Sequence, residues 1–90
     1  MTMVIEHFAA LAERIEQGRS DAELPQLMAR TRTLCGQAAA SASADAKPLL
    51  MQVQQALETW ETVWPRLGSQ QEFRLAVIRE ARLWAKRLAL

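Results

Sequence analysis

In four separate stretches of this chain, apolar residues recur at every third or fourth position, and no run of β-branched residues alternates with polar ones. That period suits helices with one buried face and does not suit strands, so the chain reads as all-α. The first stretch puts Val4, Ile5, Phe8, Leu11, Ala12 and Ile15 on one side, with Glu6, Glu13, Glu16 and Gln17 opposite. It predicts a helix over 3–17, ended by Gly18, which can take left-handed backbone without a Cβ clash. Ser20 and Glu23 then stand at the spacing of a helix-start box. Pro25 needs a first-turn position, which predicts a short turn at 21–24 and a second helix over 25–40. Its stripe is Leu24, Leu27, Met28, Thr31, Leu34, Cys35 and Ala38, weakened by about 1 kcal/mol at Gly36.

Residues 38–46 read AAASASADA, a weak helix former and the best linker in the chain, with 39–44 expected to be its most mobile internal part. Asp45 is a suitable N-cap for a third helix over 46–64, whose apolar side carries Leu49, Leu50, Val53, Ala56, Leu57, Trp60, Val63 and Trp64. Pro65 is expected to stop it. Ser69 and Glu72 repeat the start box before a fourth helix over 70–88. One face of that helix is Phe73, Val77, Ala81, Trp84 and Leu88, widened by Ile78 and Ala85. Leu57, Trp60, Phe73, Val77 and Trp84 are the expected core, with Trp60 or Trp64 meeting Phe73 across the short turn. The assembly this predicts is one domain over 1–90, a small up-down four-helix bundle built from two antiparallel helix pairs joined by the Ala/Ser segment.

Eleven Lys and Arg against ten Asp and Glu give a net charge of +1, so no bulk attraction draws the chain to nucleic acid or to an anionic membrane. A single cysteine cannot close an intramolecular disulfide. The N-terminal stretch carries Glu6 and His7 and does not read as a signal peptide. No apolar run approaches the roughly 18 residues of a membrane span. The expected setting is therefore the cytoplasm.

Chemistry has little to work with. His7 is the only histidine and lies at the edge of the first stripe, where a boundary residue is the plain reading. Cys35 falls within an apolar stripe and reads as core, with low thiol reactivity. Glu13 with Glu16, and Glu58 with Glu61, share helical faces but read as solvated. No phosphate loop, metal motif or nucleophile elbow is present, so neither an enzyme, a cofactor nor a small-molecule substrate is expected.

Charge is unevenly spread. The fourth helix holds Arg74, Arg79, Arg82, Lys86 and Arg87, whereas the first 24 residues carry Glu6, Glu13, Glu16, Asp21 and Glu23, which suggests that the first and fourth helices are neighbours. The fourth helix also has a second apolar line. Leu75, Leu83 and Leu90 lie away from its core face, among Arg79, Arg82 and Lys86. Either that helix is central to the bundle, or this side meets a partner chain. The six residues are the candidate partner-binding set. The function expected is a non-enzymatic protein–protein interaction module, adaptor- or chaperone-like and self-associating. A small nucleic-acid-binding regulator using the basic helix is the alternative.

Overall fold

The computed structural model describes residues 2–18 and 23–89. They form four helices: α1 (Thr2–Gln17), α2 (Leu24–Ala40), α3 (Ala46–Leu67) and α4 (Gln71–Ala89), with no strand among the described residues. The chain is the expected up-down four-helix bundle. Each helix contributes its predicted stripe to one core: Val4, Phe8, Leu11 and Ile15 from α1, and Leu24, Met28 and Cys35 from α2. Leu50, Val53, Leu57, Trp60 and Trp64 come from α3, and Val77, Ile78, Ala81 and Leu88 from α4. Thr31 is the one polar residue fully enclosed among those described, and its hydroxyl donates to the Leu27 carbonyl at 2.8 Å. That bond removes the desolvation penalty of an orphaned hydroxyl.

Helix partnership departs from chain order. The extensive interfaces are α1 with α4 and α2 with α3; α1 and α2 share a smaller one, and α3 and α4 the smallest. The tight pairs are thus the outer two helices and the inner two, whereas adjacent helices 1–2 and 3–4 were the natural pairs in sequence. Gly36 lies where α2 meets α3: a Cβ there would stand 2.9 Å from Gln54 Nε2, the free end of a flexible side chain that would have to swing aside. The acidic first helix and the basic fourth are neighbours, as their charges suggested, and Arg82 pairs with Glu16 across them.

Boundaries show which local signals prevailed. Gly18 ends α1 at φ 68°, with its N–H on the Ile15 carbonyl at 3.2 Å. Pro25 lies in the first turn of α2, while Ser20 and the turn at 21–22 fall outside the described residues. Pro65 does not stop α3, which continues to Leu67 with the proline inside it. So near the C-terminus the missing N–H forfeits one bond of the last turn, and Gly68 N–H still reaches the Trp64 carbonyl at 2.8 Å. Two expected caps are also displaced. Asp45 occupies the N-cap position of α3 without a side-chain cap bond, and Ser43 Oγ instead accepts from Ala46 N–H at 3.3 Å. The first helical bond of α4 runs from Arg74 N–H to the Gln70 carbonyl at 3.0 Å, which puts the helix start one residue later than a cap at Ser69 would.

Candidate interaction surface

α4 has two unlike sides. Val77, Ala81 and Leu88 point into the core; about half a turn away, by 100° per residue, lies a line through Leu75, Arg79, Leu83 and Lys86. Leu75 is 47% exposed and Leu83 46%. Because α4 packs chiefly on α1 and only narrowly on α3, it is a flanking helix, and this line faces away from the bundle. Leu75, Arg79 and Arg82 join Ile78 around a shallow groove of about 290 Å³. Arg82 is tethered at the groove edge by Glu16. Leu83 and Lys86 continue the same exposed line, and Leu90 lies outside the described residues.

The basic residues of α4 divide by role. Arg74 donates to the Gly68 carbonyl at 2.7 Å and to the Ile15 carbonyl at 3.1 Å, so one guanidinium serves the ends of both α3 and α1. The same group lies 5.6 Å from the Trp64 ring centroid. Arg87 covers the Trp84 ring at 5.1 Å. Three of the five are therefore engaged within the chain, Arg82 included, while Arg79 and Lys86 are exposed.

Other features were not evident from the pattern. Arg32 forms a two-point pair with Glu61, Nε to Oε2 at 2.7 Å and Nη2 to Oε1 at 3.3 Å, which ties α2 to α3. Glu61 is thus half-buried and paired, where a solvated face was expected; Glu58 is exposed. A cleft of about 410 Å³ between α1 and α2 is lined by Met3, His7, Ala29, Arg30, Thr33 and Leu34. His7 Nδ1–H donates to the Met3 carbonyl at 2.8 Å, an intrahelical bond that fits a boundary residue. Neither feature has a sequence signal, because both depend on how far α2 sits from each neighbour.

Cys35 is enclosed, and burial pushes its thiol up to about 11, away from the thiolate form that a nucleophile needs. Among the described residues, no three His, Cys, Asp or Glu side chains gather where they could hold a metal ion. No helix among them is long and apolar enough to cross a membrane. Compared with known proteins, the chain matches no family model, no curated protein and no solved structure.

Proposed function

We propose that this chain is a non-enzymatic protein–protein interaction module, adaptor- or chaperone-like, that associates with a second copy of itself through the outer face of α4. The observation that carries the reading is the pair of half-exposed leucines, Leu75 and Leu83, on a face directed away from the core. Exposed leucines are common singly, but two on one helical line with basic residues between them form an apolar seam with a charged rim. The stems of Arg79 and Lys86 extend that apolar area while their heads stay in water. The nucleic-acid alternative has less to draw on, since three of the five α4 cations are already engaged and the net charge is +1.

The double variant Leu75→Glu, Leu83→Glu tests the reading. Its helical circular dichroism and thermal transition should match those of the parent, because neither leucine is part of the core. Self-association should fall by a factor of ten or more, since each buried leucine is worth about 1.5–3 kcal/mol. A variant that keeps its parent's association removes the reading.

A further inference from the structure

Twofold symmetry makes a demand on any helix that pairs with its own copy. In an antiparallel pair about a central residue, each side chain meets the one equally far on the other side of that centre. Arg79 is such a centre for α4. Leu75 and Leu83 lie four residues before and after it, about 6 Å along the axis and about 40° to either side. Glu72 and Lys86 lie seven residues before and after it, about 10 Å along the axis and about 20° to either side. All five are exposed or half-exposed. Leu88, in the core, is nine residues from Arg79 and so faces the opposite way, which leaves this face unobstructed by α1.

We infer that α4 pairs antiparallel with α4 of a second copy about Arg79, so that Leu75 packs against the partner's Leu83 and Glu72 meets the partner's Lys86. The inference rests on the self-associating reading above and specifies its geometry. Each of these contacts occurs twice, by symmetry. The arrangement is selected by charge. In a parallel pair Glu72 would face glutamate and Lys86 would face lysine, whereas the antiparallel register turns both into attractive pairs. Arg79 alone meets its own kind, at the axis. A seam one helix long is at the small end of protein interfaces, so the dimer is a weak one that forms and parts with concentration.

Mixing charge variants tests the register. Glu72→Lys and Lys86→Glu are made separately, and association is followed by sedimentation velocity at low salt. Each variant alone places like charges at both contacts and should dimerise on the order of tenfold more weakly than the parent. An equimolar mixture restores both attractive contacts, and the heterodimer should regain the parent's association. Arg79→Gln, which removes the like charges at the axis, should tighten the parent dimer severalfold, and a looser dimer would overturn the placement of Arg79 at the centre of the seam. A parent dimer that is broken by Leu75→Glu, Leu83→Glu, yet shows no rescue on mixing, overturns the antiparallel register alone. A parent that stays monomeric at every concentration overturns the register and the self-associating reading together.

Discussion

Cys35 shows how much a single enclosed position can report. Burial is the cause of its raised thiol pKa, from an ordinary 9.0 to about 11. The neutral thiol is favoured in the folded chain, so its stabilising contribution is complete below pH 9 and is lost as pH rises toward 11. The parent's stability advantage over Cys35→Ala, measured by urea unfolding, should therefore shrink by about 2 kcal/mol across that window. An advantage that stays flat from pH 8 to pH 11 would mean that the thiol is not enclosed. Residue-scale burial was only partly legible in the sequence. Leu57, Trp60 and Val77 are buried as expected, with Trp60 only 5% exposed, whereas Phe73 and Trp84 are half-buried. Phe73 meets Trp64 at the narrow α3–α4 interface and Trp84 lies beneath Arg87 of its own helix; periodicity reports which side of a helix is apolar without reporting how closely a neighbour approaches it. Gly68 makes the same point: its φ is −62°, so no left-handed turn requires it, yet a Cβ there would lie 2.7 Å from the Trp64 indole.

Helices as elements were the most legible feature, because each stripe repeats over several turns and outvotes any one breaker. The end of α3 is the instructive miss. Pro65 reads locally as a stop, but the last turn of a helix has few bonds left for a proline to remove. The turn beyond it gathers Trp64, Phe73 and Arg74, with the two rings 5.7 Å apart and tilted by 54°. Arg74 is the side chain that locks this corner, since its donors reach carbonyls at the ends of two helices. A sequence scan places it on α4 as one cation among five and cannot anticipate that the α1 terminus arrives beside it. Arg74→Gln should lower the unfolding free energy by about 1–3 kcal/mol, the usual loss for charged hydrogen bonds at a partly buried site. Arg74→Lys should recover only part of this, because an ammonium cannot span the two carbonyls as the planar guanidinium does. Should Arg74→Lys prove as stable as the parent, charge alone would be holding the corner.

At the scale of the whole molecule, the all-α class, the four helices and the closeness of α1 and α4 follow from pattern and charge. The choice of tight pairs does not, because the contacts that join them, such as the Arg32–Glu61 pair between α2 and α3 and the Arg74 bond from α4 to the end of α1, are matters of three-dimensional fit. The candidate surface was legible as a second line of leucines; its outward direction became evident only once α4 was placed at the flank of the bundle. That placement is what makes the two exposed leucines a candidate interface, and the oligomeric mass is where self-association is tested. Sedimentation equilibrium of the parent chain over about 1 µM to 1 mM brackets the affinities of weak interfaces. The weight-average mass should climb smoothly from the monomer's 10.1 kDa toward twice that value, with no larger species. A mass that holds at 10.1 kDa to the top of the range would contradict the account.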